Sequence, residues 1–261
     1  MLSNMGAQLL MRHAEIVIVL GAYRSGTSLT ARLCAEMGVD FGPATAMSKA
    51  GTANPTGFME RYDVMAVNDR ILKQWPDVCD IAPEGVAERV ERSVFDALDL
   101  SWTSRCQRWG LKDPRHCLTL HAWLTNGILP RAQTRIIHVV RPIEAVVESF
   151  MSMTSNRVGK DEARRMLAHH ADAAQWQVDN AGVPAITVQY PQLTGAPRRE
   201  VERIGEFVGC TSRAYVRSAA RLVGKRRALA RYYARRLLVN MPARVWSRLR
   251  TSVVRETKGW Q

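Results

Sequence analysis

The sequence predicts an α/β fold of three layers around a mostly parallel sheet. Short β-branched runs, amphipathic helical stretches between them, and a glycine-bounded turn joining the first run to the first helix carry that expectation. With 261 residues, 46% of them apolar, the chain can bury one good core. At 17 Gly, 11 Pro and 23% charged residues, disordered and collagen-like chains are excluded.

Residues 15–20 form a continuous apolar run that opens into Gly21, the pattern of a strand buried on both faces. Leu29, Leu33 and Met37, spaced by four, mark one face of a helix that stops at Gly38. A loop then runs to Gly57. Helices are expected over residues 61–75 and, after Pro83, over 86–100. Residues 109–111 suggest a short strand, 117–124 a helix, and 135–140 a second clear strand. Pro142 suits the first turn of the next helix, which carries Ile143, Val146, Val147, Phe150 and Met151 on one face. A long helix over 161–180, a strand over 185–189 and a helix over 198–208 stopped by Gly209 complete a body expected to span residues 1–210. Neither an internal repeat nor a dividing linker interrupts it.

Charge is distributed unevenly. The net charge of +13 alone suggests an anionic partner, yet residues 1–210 hold 23 basic and 23 acidic side chains. Residues 211–261 hold 14 basic residues and only Glu256, so the whole excess belongs to a basic helical C-terminal extension. In that segment Leu229, Tyr233 and Leu237 repeat every four residues, and Val245, Trp246, Leu249 and Val253 form a second stripe. Two accounts stay open: helices docked by their apolar faces, or an interfacial pair drawn to anionic lipid or to an anionic acceptor. Nucleic acid is not expected as a partner. No run approaches the roughly 18 apolar residues of a membrane span, and the start does not read as a signal peptide. Five widely spaced cysteines without a C-x-x-C pair argue against a disulfide framework or a zinc site. A cytoplasmic protein is expected, with the tail as a candidate contact to the inner membrane face.

The strongest local feature is Gly21-Ala22-Tyr23-Arg24-Ser25-Gly26-Thr27-Ser28, between the buried strand and the first helix. Glycines at both ends let backbone N–H groups curl toward an anion, and the helix that follows adds partial positive charge. The spacing fits the P-loop pattern except that Thr27 stands where its lysine belongs. That lysine reaches the outer phosphates of a nucleoside triphosphate, so its absence weighs against a kinase with a degenerate loop. Arg24 supplies a cation three residues earlier.

Arg24-Ser25-Gly26-Thr27-Ser28 resembles the 5′-phosphosulfate loop of sulfotransferases that use 3′-phosphoadenosine-5′-phosphosulfate (PAPS). Arg141 after the strand at 135–140, with Ser149 eight residues on, is similar to the pair that binds the donor's 3′-phosphate in that family. Ala145, Ser149 and Ser152 share the side of their helix away from the apolar stripe, and Arg141 ends a strand where open α/β sheets bind ligands. Further similar segments are Asn54-Pro55-Thr56-Gly57-Phe58-Met59-Glu60, Asn68-Asp69-Arg70-Ile71-Leu72, Gly110-Leu111-Lys112-Asp113-Pro114-Arg115 and Val188-Gln189-Tyr190. Together they cover about residues 15–210, and the resemblance implies a P-loop NTPase-like fold.

The resemblance implies transfer of a sulfonate from PAPS to an acceptor hydroxyl on a carbohydrate, glycolipid or small molecule, with no metal. Glu60 matches a catalytic glutamate of the carbohydrate sulfotransferases, and Lys112 their sulfonate-contacting lysine. Arg24, Lys112 and the loop amides suit the charge on the leaving phosphate. A free carboxylate is a weak base toward an alcohol, so the role of Glu60 implies a dry, partly closed site. Asp113 and His116 remain alternative bases; Glu60 can also be a helix N-terminal carboxylate, and Asp113 part of an Asp-Pro turn. Trp75, Trp109 and Phe150 are candidates to cover adenine, and Arg157, Lys225, Arg226 or Arg227 to supply a third 3′-phosphate cation.

Overall fold

The computed structural model describes residues 14–49, 57–154 and 158–223. Its sheet consists of β1 (Glu15–Leu20), β2 (Arg108–Lys112), β3 (Thr134–Val140) and β4 (Ala185–Gln189), in the order β2-β1-β3-β4. All three pairings are parallel, with Val17 opposite Gly110 and Ile18 opposite Ile136. Parallel pairs need crossovers, and the connecting helices cover both faces.

Alternation along β1 divides the core in two. Ile16, Ile18 and Leu20 join Leu111 and Ile136 on one face, under α2 (Tyr62–Leu72), α3 (His116–Thr125) and α5 (Lys160–Asn180). Val17 and Val19 join Ile137, Val139 and Val188 on the other, under α1 (Thr27–Glu36) and α7 (Pro197–Phe207). Each fully buried aliphatic side chain contributes about 1.5–3 kcal/mol, so the central strand is the main thermodynamic reason for three layers. A smaller cluster of Val146, Val147, Ala163 and Leu167 joins α4 (Ile143–Thr154) to α5. The short α6 (Tyr190–Gly195) follows β4 directly. Residues 213–223 are helical, and Ala219 and Val223 are buried in the second core. Packing therefore continues past residue 210, where the charge pattern changes.

One expected element is absent. Residues 86–100 do not form a single helix; the turn Pro83–Val86 leads into short 3-10 turns at Ala87–Arg89 and Arg92–Phe95. Val90 and Glu91 between them are extended. Asn126 at the end of α3 donates to the Val90 carbonyl, and the Arg92 guanidinium donates to the Asn126 carbonyl. Tertiary partners replace the helix ladder while Val86, Val90 and Phe95 stay buried.

The strand order places a switch point between β1 and β3. The chain leaves β1 for β2 on one side, and leaves β3 for β4 on the other. Ligands in open α/β sheets bind outside the carboxyl ends of strands at such a crevice.

Asn68 ties α2 to α3. It is fully buried, and its Oδ1 accepts from Thr119 Oγ1 at 2.8 Å and from Trp123 Nε1 at 2.9 Å. Asn68→Ala leaves Trp123 Nε1 buried without an acceptor, while Thr119 Oγ1 keeps the Arg115 carbonyl at 3.2 Å, so denaturant unfolding should show a loss of about 1–3 kcal/mol; a change within experimental error would refute the tie.

Burial holds His116, His138 and His170 at about 4, below the ordinary histidine value of 6.5. They stay neutral when folded but take up protons below about 6.5 when unfolded. Their contribution is therefore complete above that value and is lost as pH falls toward 4. Between pH 7 and 5, unfolding free energy should drop by roughly 1–2 kcal/mol for each histidine. His116→Leu should flatten that slope, and an unchanged slope would remove His116 from the account.

Candidate active site

The loop after β1 takes its path from three left-handed residues: Gly21 (φ 151°), Arg24 (φ 67°) and Gly26 (φ 108°). A Cβ on Gly21 would lie 2.5 Å from the Val139 carbonyl oxygen, and one on Gly26 would overlap the Tyr190 ring. Both positions thus require glycine for conformation and for space. Gly26 caps α1 without a side-chain hydrogen bond, and the first turn of α1 holds no acidic residue. The first-turn amides therefore keep their donors for an anion, with the helix dipole behind them.

Ser25, also expected in the donor site, turns its hydroxyl into the loop. Its hydroxyl donates to the Ala22 carbonyl at 2.7 Å, and its amide donates to the same oxygen at 3.2 Å. It closes the loop from inside. The other eight expected residues, Arg24, Gly26, Thr27, Ser28, Glu60, Lys112, Arg141 and Ser149, line one cleft of about 160 Å3. They come from the ends of β1, β2 and β3, from α1 and α4, and from the residues before α2.

Contacts within the cleft join segments distant in sequence. Arg24 Nε donates to Ser149 Oγ at 3.1 Å, connecting the loop to α4. Arg141 Nη1 donates to the Arg24 carbonyl at 3.0 Å across the β1–β3 crevice, and its guanidinium lies 5.0 Å from the center of the Tyr190 ring. Lys112 Nζ forms an ion pair with Glu60 Oε1, with the two side chains only 2% and 11% exposed.

The Glu60 backbone is firmly held. Its carbonyl accepts from the Ser48 amide at 2.7 Å, and its neighbours Met59 and Arg61 have a left-handed φ of 60° and an antiparallel bridge to Met47, respectively. The buried Arg61 guanidinium grips Asp63 through Nε at 3.0 Å and Nη2 at 2.7 Å, and donates to the Asp99 carbonyl at 3.0 Å. Its face lies 5.0 Å from the center of the Trp102 ring. A bidentate pair with this much support fixes the chain direction on entry to α2.

The alternative bases have other partners. Asp113 is fully buried and accepts from the Arg115 amide at 2.9 Å and from Arg115 Nη1 at 3.1 and 3.2 Å. His116 is buried, meets Trp123 edge to face at 5.0 Å, and among the described residues has no hydrogen-bond partner on either ring nitrogen. Neither lines the cleft.

The three aromatic residues expected to cover adenine also lie elsewhere. Trp75 packs on the first core beneath Arg89, Trp109 is buried against Trp102, and Phe150 packs on the α4–α5 cluster. Tyr23, Phe58 and Tyr190 are the aromatic walls among the described lining residues. The strand-end rule that selected Arg141 also selects Tyr190, the first residue beyond β4. Tyr23 meets His170 edge to face at 5.3 Å, and burial raises its phenol above the ordinary tyrosine value, so it stays protonated. Arg157, Lys225, Arg226 and Arg227, and Asn54, Pro55 and Thr56 of the segment before Glu60, lie outside the described residues.

No protein of curated function matches the chain. The fold is similar to that of the sulfotransferase domain from the Synechococcus PCC 7002 olefin synthase, at 19% identity and a TM-score of 0.50, over 77% of this chain and 75% of that one. The model of the Sulfotransferase family matches residues 16–213. A match over most of the chain, on a parallel sheet with the expected loop at its switch point, makes this protein a member of the sulfotransferase family and a transferase enzyme.

Proposed function

We propose that the protein moves a sulfonate group from PAPS to an acceptor hydroxyl, on a carbohydrate or glycolipid by the Glu60 analogy. The observation that carries this reading is the meeting of Arg24, Lys112, Arg141, Ser149 and Glu60 in one cleft at the mouth of an uncapped helix. The donor has two separate anionic ends, and the residues present fit both. Arg24 and the amides at Thr27 and Ser28 suit the 5′-phosphate; Arg141 and Ser149 suit the 3′-phosphate; Lys112 suits the sulfonate.

When bound, PAPS supplies the activated sulfur and a phosphate leaving group. Glu60 takes the acceptor's proton as the acceptor oxygen bonds to sulfur. The bond from sulfur to the bridging phosphate oxygen breaks, and its electron pair leaves on 3′-phosphoadenosine 5′-phosphate. Arg24 and the loop amides balance that charge. Pro114, Phe58 and Tyr23 give the cleft that holds Glu60 and Lys112 part of its apolar lining.

The reading includes a cytoplasmic location and contact of the basic tail with anionic lipid. Among the described residues no helix is long and apolar enough to cross a membrane. The tail from residue 224 onward lies outside them.

Titration with 3′-phosphoadenosine 5′-phosphate tests the donor site. Arg24→Ala should weaken binding by about 1.5–3 kcal/mol and Ser149→Ala by about 1 kcal/mol. Because Arg24 donates to Ser149, the double variant should lose less than the two single losses combined. Undiminished binding in all three variants would place the donor elsewhere.

Glu60→Gln should retain 3′-phosphoadenosine 5′-phosphate binding. It should also lower sulfonate transfer to a panel of saccharide and glycolipid acceptors by about 100-fold or more. Transfer at the wild-type rate would remove Glu60 as the base.

A further inference from the structure

We infer that the buried ion pair between Lys112 and Glu60 is a latch released by the sulfonate of the donor, so that Glu60 is freed to take a proton only when there is a group to transfer. This rests on the sulfonate-transfer reading above and assigns the pair a role in ordering it.

The two side chains come from distant segments, Lys112 ending β2 and Glu60 preceding α2, and both line the cleft. The Lys112 ammonium has three donors, and among the described residues Glu60 is its one hydrogen-bonding partner. Both charges are largely removed from water, and removing a charge from water is costly unless it is paired. The pair satisfies each charge in the absence of ligand.

That pairing conflicts with both proposed roles. A lysine held by a carboxylate is partly neutralised toward a sulfonate, and Glu60 Oε1, the oxygen that Lys112 holds, is closed to the acceptor's hydroxyl. A single movement resolves both conflicts. As the sulfonate enters, the ammonium exchanges a carboxylate oxygen for a sulfonate oxygen, and Glu60 Oε1 is exposed to the acceptor. After transfer the nucleotide that remains carries no sulfonate, and Lys112 returns to Glu60 once its proton has passed to water.

The surroundings allow the lysine to move more readily than the carboxylate. Backbone contacts through Ser48, Met47 and the Arg61–Asp63 grip hold the Glu60 segment. Lys112 has a long flexible stem and, among the described residues, one hydrogen-bonding partner to exchange.

The latch makes a prediction that a merely structural ion pair does not. PAPS has to compete with Glu60 for Lys112, whereas 3′-phosphoadenosine 5′-phosphate does not. Dissociation constants for both nucleotides should be measured in the absence of acceptor for wild type, Glu60→Gln and the double variant Glu60→Gln/Lys112→Met. Glu60→Gln should tighten PAPS binding by about 5- to 30-fold and leave 3′-phosphoadenosine 5′-phosphate within about twofold. The double variant, which leaves no unpaired charge, should lose that gain while binding the desulfonated nucleotide normally.

If Glu60→Gln leaves the ratio of the two constants unchanged, or weakens PAPS selectively, the latch is wrong and Glu60 instead holds Lys112 in place. If wild type binds neither nucleotide, the donor assignment itself fails and the latch falls with it. Melting temperatures of the variants, measured in parallel, separate unfolding from loss of binding.

Discussion

The close passage of the phosphate loop between β3 and Tyr190 is the constraint on which the site depends. At Gly21 the backbone runs against the Val139 carbonyl, and at Gly26 against the Tyr190 ring, with no room for a side chain at either place. Those two approaches turn the chain sharply enough for α1 to start with its uncapped amides facing the crevice. They also set Arg24 in a left-handed conformation, where its carbonyl meets Arg141 and its side chain meets Ser149. The cations and amides of the cleft are placed by packing first and by charge second.

The cations around the cleft differ in how they are engaged, and the difference separates framework from chemistry. Arg61 and Arg115 are each gripped by carboxylates, Arg61 by both oxygens of Asp63 and Arg115 by Asp113 of its own turn and by Asp69 of α2. Such pairs are costly to break and stiffen the entry to α2 and the exit from β2. Lys112, by contrast, holds one oxygen of one carboxylate inside the cleft. An arginine fork fixes geometry, while a single ammonium can change partners. The exit from β2 carries both kinds three residues apart, Lys112 aimed into the cleft and Arg115 into the turn below it.

The sequence revealed what local chemistry determines. The β-branched runs marked β1 and β3 because a doubly covered strand must be apolar on both faces. The loop was visible because its glycines sit at fixed spacing between a strand and a helix. Residues 86–100 misled because their apolar positions suit a helix, while Asn126 and Arg92 satisfy the backbone from outside the segment. The contact of the Ser25 hydroxyl with the Ala22 carbonyl has no signal in the sequence, because only the loop's curvature brings the two within reach. Trp75, Trp109 and Phe150 offer flatness, a property that core packing uses as readily as a nucleotide does. The pairing of Glu60 with Lys112 spans β2, α2 and the turns between, and no spacing rule predicts a contact of that kind.

The C-terminal charge excess has a structural beginning as well as a compositional one. Arg213, Arg217 and Arg221 are exposed and recur every four residues, whereas Ala219 and Val223 of the same helical stretch are buried in the second core. One face of this helix completes the packing over α1 and α7, and Ser218 donates to Glu36 at the end of α1 at 3.0 Å. The first three cations of the tail are thus carried on an element the body needs for its own core. Removing the chain from residue 211 would expose Val201, Ile204 and Val208 along with deleting charge, since all three share that core with Ala219 and Val223. A truncation meant to isolate the tail's electrostatics must therefore begin after Val223, where packing ends among the described residues and the cationic segment continues.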